Sequence, residues 1–266
     1  MGNSCIESPV EKKFDRHEQE IFHFFGSDRI VGGVEKSKFR AFNPYILVFS
    51  NRSGSNALAE DMKISLEVGP ASERVNSPAV INKSRDKGFD YFDQYLYWVF
   101  SSQKSTTPGV KASVDQLLFL YTSGVLRHCF GDPEIIFIER RDLLAQAISM
   151  FIARETGQWT SRQEQSREEP VFDRDKILTI QKNIAEGNAR FNRLVSAVGL
   201  DVFRVIYEDY VEDRAAILSA LAGRLGVTYK GEPDPSRKKI KKQVSKTKEL
   251  YHQYIRDEFS QGIDRE

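Results

Sequence analysis

The chain contains no Gly-Lys pair, so the nucleoside-triphosphate loop G-x-x-x-x-G-K-[ST] is absent. Cysteine is scarce as well. Cys5 and Cys129 are the only two and lie in very different segments, which argues against a disulfide framework and for a reducing compartment. No apolar run approaches the ~18 residues of a membrane span. The opening MGNSCIES lacks the basic and apolar regions of a secretion signal. Ile6 stands where myristoylation asks for Ser or Thr. Charge of one sign is missing too: 39 Lys and Arg against 38 Asp and Glu leave a formal net charge of +1, with no global pull toward nucleic acid or an anionic membrane. His17 and His23 are spaced wrongly for an H-E-x-x-H site, and His128 and His252 stand alone, so no metal-ligand set is expected. Together these absences predict a soluble cytoplasmic protein.

What is present is a core and an alternation. At 266 residues, 40% of them hydrophobic, the chain can build one large domain. Residues 1–43 are polar, mixed in charge and carry an aromatic patch at Phe22 to Phe25, read as an extension with a helix. From Pro44 the pattern alternates. PYILVFS (44–50), GVKAS (109–113), EIIFIER (134–140) and DVFRVIYEDY (201–210) read as strands. Helical spacing fills the intervals: 57–66, the aromatic 89–100, 115–130, 142–159, 173–198 and the AAILSALAGRLGV segment. Such alternation predicts a three-layer α/β fold, a P-loop-like central parallel sheet flanked by helices on both faces, over residues 44–266. The last part, 237–266, begins with a dense basic run (Arg237, Lys238, Lys239, Lys241, Lys242, then Lys246 and Lys248) and ends in a helix-like segment at 249–259. Alone, such a run is a solvated face.

Two junctions carry anion-binding chemistry. In VFSNRSGSNALAEDM (48–62) a strand ends in a polar, glycine-containing turn and a helix follows, the geometry in which free N–H groups and a dipole's positive end meet an anion. Ser53 and Ser55 add hydroxyls, Gly54 admits close backbone approach and Arg52 brings a delocalised charge. The second junction follows the strand at 134–140, where Arg141 and Ser149 are eight residues apart and can share the sheet's carboxyl edge.

Taken together, the two junctions resemble a known family. FSNRSGSNALAE resembles the 5′-phosphosulfate loop of sulfotransferases, and ERRDLLAQAISMF their 3′-phosphate segment. The stretch RRDLLAQAISMFIARETGQW (140–159) is similar to the signature of the bacterial carbohydrate sulfotransferases typified by the mycobacterial trehalose 2-sulfotransferase, and GPASE (69–73), GVKASVDQL (109–117) and VIYEDYVED (205–213) keep that family's order. The likeness spans roughly 45–227. Where relatives carry proline before the loop arginine, this chain has Asn51; where they carry an aromatic pair after the acidic residue, it has Arg74 and Val75; and Ala112 and Ser113 replace an aromatic or His-like position.

The resemblance implies 3′-phosphoadenosine 5′-phosphosulfate (PAPS) as donor, its product 3′-phosphoadenosine 5′-phosphate (PAP), no metal, a sugar or glycolipid acceptor, and a homodimer. It implies that Arg52, Ser53, Gly54, Ser55 and Asn56 cradle the 5′ end. Arg141, favoured by its spacing over the adjacent alternative Arg140, would hold the 3′-phosphate with Ser149, and Glu73 would be the general base. Lys111 and Trp159 would meet the acceptor, and the basic tail would close over the nucleotide. A nucleotide-dependent small-molecule kinase and a non-catalytic polyanion-binding protein are the rival readings.

Overall fold

The computed structural model describes residues 16–159, 170–233 and 246–263. Four strands form its sheet: β1 (Tyr45–Phe49), β2 (Gly109–Ser113), β3 (Glu134–Glu139) and β4 (Val202–Ile206), all parallel in the order β2-β1-β3-β4. The helices are α1 (Arg16–Phe25), α2 (Lys36–Phe39), α3 (Ser55–Ser65), α4 (Ser77–Lys87), α5 (Phe92–Ser102), α6 (Val114–Thr122), α7 (Leu143–Thr156), α8 (Arg174–Val198), α9 (Tyr207–Glu212), α10 (Arg214–Leu225) and α11 (Lys246–Ile263). None of them is long and apolar enough to cross a membrane.

The strands sort their side chains by alternation. Ile46, Val48, Val110, Ile135 and Phe137 enter one core with α5, α6 and the N-terminal segment. Tyr45, Leu47, Phe49, Ile136, Ile138 and Val205 enter the other with α3, α9 and α10. Helices therefore cover both faces, giving the three-layer α/β architecture expected. A third cluster joins α7, α8 and α11 through Ile148, Phe151, Ile180, Tyr251 and Ile255, which brings the C-terminal helix to the carboxyl end of the sheet.

Residues 16–43 contribute to the same core as the sheet. Ile21, Phe25, Ile30 and Phe39 are buried in the first cluster. Asp93, fully buried, accepts the N–H groups of Gly32 (2.7 Å), Gly33 (3.0 Å) and Val34 (3.2 Å). A Cβ at Gly33 would lie 2.5 Å from Tyr91, so the segment docks only because that position is glycine.

Three elements differ from the sequence reading. The strand expected over 201–210 stops at Ile206. From Tyr207 the chain is helical, its first turn carrying Glu208 and Asp209 where the helix dipole favours acids. The helix expected over 115–130 breaks at Gly124, which has φ 80°, and resumes as a π turn over Leu126–Phe130. Helix α4 was not anticipated. Val80 is its only buried apolar residue, so the sequence shows almost no amphipathic stripe.

Phe191 of α8 is fully buried and stacks on Phe137 of β3 at 4.0 Å between ring centroids. Replacing Phe191 by Ala is expected to cost ~3–5 kcal/mol, read as a lower denaturant midpoint at unchanged slope.

Candidate functional site

Where the strands end, the loop Ser50–Gly54 turns the chain from β1 into α3. Arg52 takes a left-handed conformation (φ 65°), as does the N-cap Gly54 (φ 94°). A Cβ on Gly54 would lie 2.2 Å from the Tyr207 ring, so only glycine lets the loop pass that close. The first N–H groups of α3 have no partner within their own helix and face a cleft of about 490 Å³ lined by Arg52, Gly54, Ser55 and Asn56. Ser53 is buried beneath the loop. Its Oγ has no hydrogen-bond partner among the described residues, and it is not part of the cleft wall.

Helix α7 holds this loop from the other side. Gln146, fully buried, donates from Nε2 to Ser50 Oγ (2.9 Å) and to the Asn51 carbonyl (2.7 Å). Ser149, one turn on, accepts from Arg52 Nε at 2.9 Å, and Arg52 also donates to the Trp159 carbonyl. The two anion-binding junctions thus meet in one place, and Ser149 and Trp159 both line the cleft.

The paired arginines divide. Arg140 lines the cleft, its guanidinium 4.6 Å from the Tyr207 ring centre and 3.5 Å from Glu208. Arg141 turns outward to an ion pair with Asp209 of α9, and its N–H donates to Glu208 at 3.0 Å. Spacing alone puts Arg141 and Ser149 at one junction, but not on one partner.

Helix α11 adds Lys248 and His252 to the cleft wall. Lys248 is partly desolvated and stands near Arg52 and Arg140. Burial first, then repulsion from those two cations, lowers its pKa to about 8. The same effects lower that of Arg52, desolvation leading and Arg140 second. Lysines and arginines elsewhere in the basic run, Arg237 to Lys242, lie outside the described residues. His252 Nε2 sits 3.4 Å from Asp142, which caps α7 by accepting from the Ala145 N–H.

Glu73 is placed by backbone. The segment from Gly69 runs beside the free edge of β2. Tyr45 Oη donates to the Gly69 carbonyl (2.8 Å), the Lys111 N–H to the Ser72 carbonyl (2.9 Å) and Tyr95 Oη to the Arg74 carbonyl (2.8 Å). Glu73 therefore lands at the cleft with one carboxylate oxygen 3.2 Å from Lys111 Nζ and the other accepting from Asn76 Nδ2 at 3.1 Å. Lys111 is buried, its side chain 3% exposed, and its ammonium also donates to Asn56 and lies over the Phe49 ring at 4.5 Å. Desolvation lowers its pKa, while the Glu73 charge opposes that shift.

The positions that depart from the family pattern are largely absorbed by structure. Val75 and Ala112 are fully buried in the core, and Ser113 caps α6 by accepting from the Gln116 N–H. Gln146, Asn76 and Tyr207 escaped the sequence reading, and Lys248 stood there only as one residue of the basic tail expected to close over the nucleotide. Arg140, adjacent to Arg141, carried a local signal.

A family model described as Stf0 sulphotransferase matches residues 98–257, more than half of the chain. The matched region holds Lys111, Arg140, Arg141, Ser149, Trp159 and Lys248, whereas the loop and Glu73 precede it. No curated protein matches the chain.

Lys248 gives the cleft a titration. Binding of an anion here is expected to be strongest below pH 8, where Lys248 is charged. It falls above that by up to about tenfold per pH unit, because binding must then take up a proton. Calorimetry with sulfate, whose charge does not change from pH 7 to 9.5, checks this. Lys248→Met is expected to weaken binding at pH 7 and flatten the profile.

Proposed function

This chain belongs to the Stf0 sulphotransferase family, and from that premise we propose that it transfers a sulfuryl group from PAPS to a hydroxyl of a carbohydrate, releasing PAP. The observation that carries the reading is the buried Lys111 ammonium, which touches both Asn56 at the start of α3 and the Glu73 carboxylate. One cation thereby joins the anion cradle to a carboxylate able to accept a proton.

The residues present suit a donor with phosphate at both ends of a nucleoside. The α3 N-terminus, Arg52, Arg140 and Lys248 supply positive potential within one cleft. Glycine at 54 lets the loop pass against the Tyr207 ring, where a side chain would collide. When bound, the donor supplies an activated sulfuryl group whose S–O bond to the 5′-phosphate breaks as the acceptor oxygen attacks. Arg52 and the N–H groups of Ser55 and Asn56 are fixed donors for the charge that develops on the bridging oxygen, and Lys111 adds a desolvated cation there. Glu73 takes the acceptor's proton, held in orientation by Lys111 on one oxygen and Asn76 on the other. Ser149 and the arginine pair after β3 hold the 3′-phosphate: Arg140 already lines the cleft, whereas Arg141 reaches it only by exchanging Asp209 for the phosphate dianion. Trp159, 40% exposed at the cleft rim, offers a ring face to a sugar.

Transfer of labelled sulfate from PAPS to a panel of saccharides tests the function, and incorporation into none of them contradicts it. Glu73→Gln is expected to lower kcat by roughly 10²–10⁴-fold with PAP affinity unchanged, and full turnover removes Glu73 from the base role. Arg141→Ala is expected to weaken PAP binding by about 10–100-fold, the range of a lost charge-assisted hydrogen bond. If Arg140→Ala alone has that effect, the phosphate belongs to Arg140.

A further inference from the structure

A second cleft, about 390 Å³, meets the first at Phe49, Asn51 and Glu73. Glu73 therefore stands between two chambers, the phosphate-binding one and one that the donor-binding residues do not enter. The second chamber's polar wall is made of amides and balanced charge. Asn76, Gln116 and Asn183 line it, the carboxylate of Asp115 is answered by Arg190 at 3.3 Å, and Glu73 and Arg154 add one charge of each sign. Such a wall suits a neutral, many-hydroxyl ligand, whose OH groups both donate and accept, better than an ionic one.

Its outer boundary is His17 of α1, which lies outside both the sequence resemblance and the family match. Helix α1 is firmly seated. Ile21 and Phe25 are buried, and Phe22 meets Phe119 edge-on at 5.2 Å between centroids. His17 Nδ1 lies 2.9 Å from Ser77 Oγ and 3.2 Å from the Ser77 backbone nitrogen, and Glu20 accepts from the same hydroxyl. With Nδ1 committed to Ser77, the Nε2 edge is the one left to meet a ligand. Ser77 is the neighbour of Asn76, whose amide group links Gln116 (2.7 Å) to Glu73 (3.1 Å).

We propose that this second chamber is the acceptor site for a neutral saccharide, and that His17 of the N-terminal extension selects the acceptor by hydrogen-bonding one of its hydroxyls. The inference rests on the sulfotransferase reading given above. It assigns to α1, which precedes the matched region, a part in choosing the acceptor.

The test uses the full chain with labelled PAPS and a fixed panel of trehalose, maltose, glucose and glucuronate. Wild type is expected to sulfate at least one neutral sugar faster than glucuronate. His17→Ala is expected to raise KM for that sugar by roughly 3–12-fold, the loss of one hydrogen bond, with kcat and PAP affinity unchanged. His17→Gln, which keeps a donor and an acceptor, is expected to recover part of the KM. Asn183→Ala, on the opposite wall in α8, is expected to raise KM without touching α1. A His17→Ala enzyme with unchanged KM, or one whose kcat, PAP affinity and melting temperature all fall together, overturns the selecting role and leaves the sulfotransferase reading standing. A faster rate on glucuronate overturns the neutral-sugar assignment. If wild type binds PAP yet sulfates nothing in the panel, the saccharide reading fails and this inference with it.

Discussion

Three cations, Arg52, Arg140 and Lys248, converge beside the N-terminus of α3 and repel one another, with Glu208 standing 3.5 Å from Arg140. Each arrives from a different element: the loop after β1, the end of β3 and the C-terminal helix. Gln146 fixes the loop from α7, and α11 is fixed by Tyr251 and Ile255 in the cluster with α7 and α8. A cluster of like charges in a partly desolvated cleft is unfavourable by itself and becomes favourable when an anion with more than one charged group enters. The carboxyl edge of a parallel sheet is where such convergence is geometrically available, because every strand there feeds a loop facing the same way.

The meeting of Glu73 and Lys111 depends on a second constraint, the docking of the segment from Gly69 beside the free edge of β2. Three hydrogen bonds hold Gly69, Ser72 and Arg74, and Glu73 and Lys111 become neighbours because their backbones lie side by side. Burial of the Lys111 ammonium is tolerated because Glu73 and Asn56 accept from it and the Phe49 ring covers it. The same arrangement leaves the other face of Glu73 open to the second cleft.

Much of this was legible in the sequence, for identifiable reasons. Apolar runs marked β1 and β3 because a buried parallel strand has no solvent face, the short GVKAS segment behind Pro108 marked β2, and the polar turn with Gly54 announced the helix N-terminus. The matching of SNRSGSN with RRDLLAQAIS placed loop and helix at one site, which the Arg52 to Ser149 bond joins directly. Other features had no local signature. Whether Arg140 or Arg141 enters the cleft is decided by Glu208 and Asp209, some 68 residues away. Lys248 is one lysine in a basic run until α11 packs against α7. Asn76 and α4 escaped because a short helix with one buried apolar residue shows no periodicity, and Tyr207 read as strand because its apolar neighbours continue the pattern of β4.

The central claim is that the cleft is built for a nucleotide with phosphates at both its 3′ and 5′ ends, held by protein groups alone. Titration calorimetry of the full chain with PAP, and with ATP in the presence and absence of magnesium, tests it most directly. The account predicts that PAP binds without metal and more tightly than ATP under either condition, with affinity that falls above pH 8. Tight binding of ATP only with magnesium, and none of PAP, would contradict it.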